Sequence, residues 1–255
     1  MLEADIRRGR AQKDILLMTH IVLGYPSFDD SRRLVGAMVE AGVDLVELQI
    51  PFSEPMADGP VILHANQKAL AAGSTVDLCI ETATRLAAEF PIPFLFMTYC
   101  NVAFVRGFER FATEMKTAGL RGAIIPDLPF EEGAGLLSAM ERQSLDPIFI
   151  YSPSTSDDRM RQIAERARGF VYCVARKGVT GAKTLFGSDD LDGYLARCRA
   201  ATTLPLAVGF GVKNRRDVEQ LIGKADVAVV GSETIRVLEE KGVAAVGPFI
   251  RGLMR

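Results

Sequence analysis

Several classes of protein are excluded by what this 255-residue sequence does not contain. No stretch approaches the roughly 18 uninterrupted apolar residues of a membrane-spanning helix. Neither charge sign is in excess, with Lys+Arg 30 against Asp+Glu 32 and a net charge of -2. The basic footprint of a general nucleic-acid binder is therefore missing. The opening residues MLEADIRRGRAQKD are charged throughout and lack the apolar core of a secretory signal. Cys79, Cys100, Cys173 and Cys198 are too far apart for a C-x-x-C pair. That argues against structural zinc and against a small disulfide scaffold, and for a reducing, cytoplasmic setting.

Chemical motifs are equally sparse. No Walker sequence occurs, and GFGVKN (209–214) lacks the third glycine of a dinucleotide fingerprint, so no nucleotide cofactor is expected. There is no G-x-S-x-G elbow. His20 and His64 form neither H-x-x-x-H nor H-E-x-x-H, and both read as structural residues rather than metal ligands. The nearest approach to a Schiff-base lysine is Lys213, which reads as a surface residue at a helix start. No Pro/Ser-rich linker or low-complexity tract interrupts the chain, so one domain is expected over 1–255.

What is present is an alternation of apolar runs and amphipathic stretches. ILLMTHIVL (15–23), VDLVELQI (43–50), IPFLFMTY (92–99) and GAIIPDL (122–128) read as buried parallel strands. DPIFIY (146–151), FVYCVA (170–175), LPLAVGF (204–210) and VAVVG (227–231) continue the series. Helical spacing marks 31–42, with Leu34, Met38 and Val39 on one stripe and Gly42 as a stop. The stretches 157–169 and 214–224 read likewise, opening on Asp or Asn as an N-cap. At about 30 residues per βα unit, eight units fill the chain, the number that closes a (β/α)8 TIM barrel. The expected fold is that barrel with a short N-terminal helix, the alternative being an open doubly wound sheet. In a barrel, chemistry belongs at the C-terminal ends of the strands.

Glu47 is the sharpest candidate there. Alternation puts Val43, Leu45, Glu47 and Gln49 on one strand face, leaving a carboxylate on a buried surface. Burial disfavours the ionised form of a carboxyl, the direction that acid/base work at neutral pH calls for. A structural Glu bonded to neighbouring strands is the other reading. The following loop, IPFSEPMADGP, is stiffened by three prolines and carries Asp58, which reads either as a second catalytic carboxylate or as a helix N-cap. Gly209, Gly211 and Gly231-Ser232 stand where the last two strands meet their helices, an arrangement suited to phosphate on backbone N–H groups. Tight-turn glycines are the plainer reading. The loop 175–190, with Gly178, Gly181, Gly187, Arg176 and Lys177, reads as a hinged lid or a crossover.

With ELQIPFSEPMADGP (47–60), IIPDLPFEE (124–132), RKGVTGA (176–182), VGFGV (208–212) and GSETI (231–235) in this order, the chain resembles the tryptophan synthase alpha chain family over nearly its whole length. The resemblance implies a TIM-barrel lyase that cleaves indole-3-glycerol phosphate to indole and glyceraldehyde 3-phosphate. It implies a retro-aldol reaction with no metal or organic cofactor, and a beta chain as partner in an alpha2beta2 heterotetramer. Glu47 falls at the family's general acid/base and Asp58 at the carboxylate facing the indole nitrogen. Tyr172 matches a tyrosine near the glutamate, with Ile124 and Ile150 along the indole pocket. Thr180 matches the lid residue that meets Asp58. Gly181, Gly211, Gly231 and Ser232 match the phosphate cradle, with Phe210 beside it.

The pattern departs from the family at four places. His20 stands for an aromatic, Tyr25 for Asp, Gln49 for Gly and Glu54 for Asp; Glu54 and Asn101 lie in segments that meet the beta chain. The departures at 20, 25, 49 and 54 motivate a second reading, a ligand-sensing barrel subunit with little chemistry; a stand-alone indole-releasing lyase is a third.

Overall fold

The computed structural model describes residues 1–175, 189–209 and 211–254. Eight parallel strands close into a barrel in sequence order, β1 (Leu16–Val22), β2 (Leu45–Gln49), β3 (Phe94–Met97), β4 (Gly122–Ile124), β5 (Asp146–Tyr151), β6 (Val171–Val174), β7 (Leu206–Gly209) and β8 (Val227–Val230). Closure is made by β1 against β8, with Leu16 opposite Val227. The open sheet is thereby set aside. Helices α1 (Leu2–Arg10), α2 (Phe28–Glu40), α3 (Pro60–Ala71), α4 (Val76–Glu89), α5 (Cys100–Arg106) and α6 (Phe108–Thr117) accompany the first half. The second half carries α7 (Ala134–Arg142), α8 (Asp157–Arg166), α9 (Asp189–Ala201), α10 (Arg215–Glu219), α11 (Ser232–Lys241) and α12 (Val246–Met254).

Strand alternation divides the core in two. Outward residues such as Leu17, Val46, Leu48, Ala228 and Val230 pack beneath the helices with Leu34, Val35 and Met38 of α2. Inward residues such as Leu16, Met18, Leu45, Leu95, Phe170 and Val227 fill the barrel, joined from below by Leu2 and Ile6 of α1. Each fully buried side chain of this size contributes about 1.5–3 kcal/mol. The amide of Leu2 donates to the Asp146 carboxylate at 2.7 Å, fixing α1 to the start of β5.

Three local expectations are corrected. The fourth strand ends at Ile124 rather than 128, because Pro126 has no N–H to offer a ladder and Leu128 turns back to the Ile125 carbonyl. At α8 the cap is Ser156, whose hydroxyl accepts from the Arg159 amide, and the aspartates sit in the first turn. The helix read over 214–224 does start from an Asn214 capping box but stops at Glu219, ahead of Gly223 at φ +80°. No helix among the described residues is long and apolar enough to cross a membrane.

Candidate active site

A cavity of about 590 Å³ opens at the C-terminal ends of the strands. Its three zones follow from barrel order. His20 and Glu47 come from β1 and β2, with Asp58 from the loop after β2. The middle is apolar, formed by Met97, Ile124, Ile150, Tyr172, Val174 and Val229 from β3, β4, β5, β6 and β8. The far end is lined by Gly211, Lys213, Gly231, Ser232, Glu233 and Arg236.

Glu47 faces inward as alternation requires, and parallel register sets it opposite His20 on β1. The two side chains are each about 5% exposed and meet at 3.0 Å, His20 Nδ1 to Glu47 Oε1. Glu47 thus does bond to a neighbouring strand. Its second oxygen, Oε2, is buried without a partner among the described residues, as is His20 Nε2. Burial is the largest influence on His20 and opposes its charged form. The charge and hydrogen bond of Glu47, helped by Asp58 and Gln49, outweigh it and hold the imidazole pKa above its ordinary value.

Asp58 is not a helix cap. The N-cap of α3 is Gly59, with Pro60 opening the helix, and no side chain caps it. Asp58 instead turns inward and is 8% exposed. Its Oδ2 accepts from Gln49 Nε2 at 2.7 Å and from the Tyr99 hydroxyl at 3.0 Å. The Tyr99 oxygen in turn accepts from the Ala57 amide at 3.1 Å, and its ring stacks on Phe52 at 5.1 Å. Phe52 is held further by its amide, which donates to Asn66 at 2.9 Å. The loop is therefore pinned at Phe52 and Ala57, ahead of Asp58. Burial raises the Asp58 pKa, while the charge of His20 and the hydrogen bonds from Gln49 and Tyr99 work the other way.

Tyr172 is buried at the centre of the cavity wall, and its neighbour β7 makes room for it at Gly209. A Cβ at that glycine would lie 2.3 Å from the tyrosine oxygen. Burial first, then the nearby Glu47 and Asp58 charges, push the phenol pKa far up, so Tyr172 stays a neutral hydroxyl. At the far end Gly211 has φ +147°, a backbone that favours glycine. Ser232 opens α11, whose N-cap Gly231 supplies no side-chain cap, so the first N–H groups of the helix face a cavity lined by both residues.

Glu47, Asp58, Tyr172, Ile124, Ile150, Gly211, Gly231 and Ser232 are thus brought to one cavity. Thr180, Gly181 and Phe210 lie outside the described residues, as does the greater part of the loop 175–190. The sequence reading did not pair His20 with Glu47 or Tyr99 with Asp58, and it did not place Lys213 and Arg236 at the far end of the cavity. The inward alternation Leu16, Met18, His20 was the available signal for the first. No three His, Cys, Asp or Glu side chains converge as a metal site among the described residues.

A family model described as tryptophan synthase alpha chain matches residues 6–246. The tryptophan synthase alpha chain of Desulforapulum autotrophicum is 62% identical over 253 residues, covering 99% of this chain and all of its own. That of Syntrophotalea carbinolica is also 62% identical, with the same coverage. Among solved structures, tryptophan synthase of Mycobacterium tuberculosis superposes with a TM-score of 0.92 at 32% identity, over 99% of this chain and 96% of that one. The alpha subunit from Legionella pneumophila gives 0.90 at 30% identity, with 99% and 96% covered. With family model, relatives and barrel in agreement along the whole length, this chain belongs to the tryptophan synthase alpha chain family.

Proposed function

We propose that the chain cleaves indole-3-glycerol phosphate by a retro-aldol reaction in which Glu47 moves the protons and Asp58 holds the charge. The observation that carries this reading is that both carboxyl groups line one cavity whose middle is apolar and whose far end is built for an anion. An indole ring fits the zone of Met97, Ile124, Ile150 and Tyr172, and the phosphate fits Gly211, Gly231 and the start of α11, with Lys213 adding positive charge and Arg236 contributing a guanidinium that it shares with Glu233 at 2.9 Å.

The steps balance without a cofactor. Indole is a poor leaving group as a carbanion, so ring carbon 3 must first take a proton, which the Glu47 carboxyl supplies. The resulting cationic ring carries its charge at the nitrogen, where the Asp58 carboxylate accepts the N–H and stabilises it. Glu47, now ionised, takes the proton of the adjacent glycerol hydroxyl. The carbon–carbon bond breaks, its electron pair restores the indole ring, and the hydroxyl carbon becomes the aldehyde of glyceraldehyde 3-phosphate. Gln49 and Tyr99 donate to Asp58 and so favour its charged form, against the burial that disfavours it.

The partner proposed is a tryptophan synthase beta chain, in an alpha2beta2 assembly. Met56, Phe104 and Val105 are large apolar residues left 66%, 67% and 77% exposed. Glu54 and Asn101 are exposed on the same two segments. Met56 lies two residues from Asp58, and α5 follows directly on Tyr99, so docking there presses on the Asp58 network. A single domain in a cytoplasmic setting fits this role. Purified protein supplied with indole-3-glycerol phosphate should release indole and glyceraldehyde 3-phosphate in equal amounts, faster when the beta chain is added. Ligand binding without product in both conditions would overturn the reading in favour of a sensing subunit, and full turnover alone would favour a stand-alone lyase.

A further inference from the structure

The proposed reaction asks one carboxyl to be protonated near neutral pH, then ionised, then protonated again. We propose that His20 is the positioning residue that makes this possible, His20 and Glu47 holding a single proton between them as one unit. The inference rests on the assignment of Glu47 as acid/base.

Backbone register places the pair. His20 and Glu47 are opposite residues of adjacent parallel strands, both pointing into the barrel, and they meet at 3.0 Å with almost no solvent exposure. A buried carboxylate with a neutral imidazole as its sole partner is costly, whereas an imidazolium–carboxylate pair, or an imidazole beside a carboxylic acid, leaves no net charge. The latter two forms contain the same protons and differ only in where one of them sits. Glu47 lines the cavity and keeps one oxygen, Oε2, buried and without a partner among the described residues, so the pair sits in the cavity wall with one carboxyl oxygen uncommitted.

The proton count through the reaction is closed. The singly protonated pair, in its carboxylic acid form, gives its proton to ring carbon 3 and becomes carboxylate beside neutral imidazole. Uptake of the hydroxyl proton returns it to the starting state. His20 never has to touch the substrate for this. Without the imidazole the stored proton has only the carboxyl to rest on, and it is lost at lower pH.

The titratable and charged groups around His20 are Glu47 on β2, Asp58 in the following loop and Tyr172 on β6, with Glu233 and Arg236 of α11 and Lys213 further along the cavity. Its other strand neighbour, β8, brings Val229 and Val230, followed by Gly231. Glu47 is the group in direct hydrogen-bond contact, and Asp58 adds to the same sign of effect.

The chain has two histidines, so ring resonances of His20 and exposed His64 can be told apart by a single substitution. NMR titration of the full-length protein should give His20 a midpoint above the ordinary histidine value, and Glu47→Gln should bring it down. This readout needs no turnover, so it stands apart from the lyase reading: absent indole production defeats that reading, while the titration alone decides the coupling. A His20 midpoint unmoved in Glu47→Gln would overturn the inference. Kinetics supply the second arm. In His20→Gln and His20→Phe the basic limb of the kcat profile should move to lower pH, lowering the ratio of rates at pH 8 and pH 6 by about tenfold, with KM changed less. A lower kcat with the wild-type pH profile in both variants would show a packing role only and would also overturn it.

Discussion

At the N-terminal ends of the strands, Leu2 and Ile6 enter the barrel against Leu16 and Phe170, and the one buried carboxylate there, Asp146, is bonded to the Leu2 amide. At the C-terminal ends the same strands enclose about 590 Å³ of space and leave Glu47 Oε2 and His20 Nε2 without partners among the described residues. The lower end is filled and its buried carboxylate is paired, which is the arrangement that lowers free energy. The upper end keeps volume and, among the described residues, hydrogen-bonding capacity that is left for a ligand to use. Stability and chemistry are thus assigned to opposite ends of one set of strands. Substitutions should separate them.

At the upper end the expected effects are on rate, greatest at Glu47 and next at Asp58. Asp58→Asn keeps an oxygen that can accept from Gln49 and Tyr99 but removes the charge, and kcat/KM for indole release should fall by about 10²–10³-fold. Thermal melting should show a protein that is folded. Retention of most activity in a folded variant would mean that ring charge is stabilised elsewhere. At the lower end Ile6→Ala should cost about 2–4 kcal/mol in urea unfolding, with turnover per folded molecule unchanged. A rate loss matching that at Asp58 would erase the distinction between the ends. Arg236→Ala, at the end of the cavity proposed to hold the phosphate, should be milder, raising KM about tenfold, or 1.4 kcal/mol, with kcat preserved.

How much of this was legible in the sequence varied with the range of the interaction. Eight strands could be read because a strand covered on both faces is apolar at almost every position, and the glycine turns before α10 and α11 are local features. The reach of β4 was overestimated because the apolar count ran through Pro126. The choice between cap and catalytic group for Asp58 needed the neighbour: Gly59 takes the cap, and Tyr99, 41 residues away, takes the aspartate. His20 could not be paired with Glu47, 27 residues on, by any spacing rule, since only the strand register brings them together.

The smallest predicted effect is on stability and concerns the same histidine. Its pKa is raised on folding, so its contribution is fully present below the unfolded value near 6.5 and is lost as pH rises through the higher folded value. Unfolding free energy measured across that range should therefore fall in the wild type and be flatter in His20→Phe. Equal slopes would contradict the sign of the shift.

The central claim is that Glu47 performs the proton transfers at a site that recognises its substrate by other means. It is tested most directly by measuring substrate binding and single-turnover indole release in Glu47→Gln. Calorimetric affinity for indole-3-glycerol phosphate should stay within a few-fold of wild type, on the order of 1 kcal/mol or less, while indole release is abolished. Indole formation at close to the wild-type rate would contradict the account.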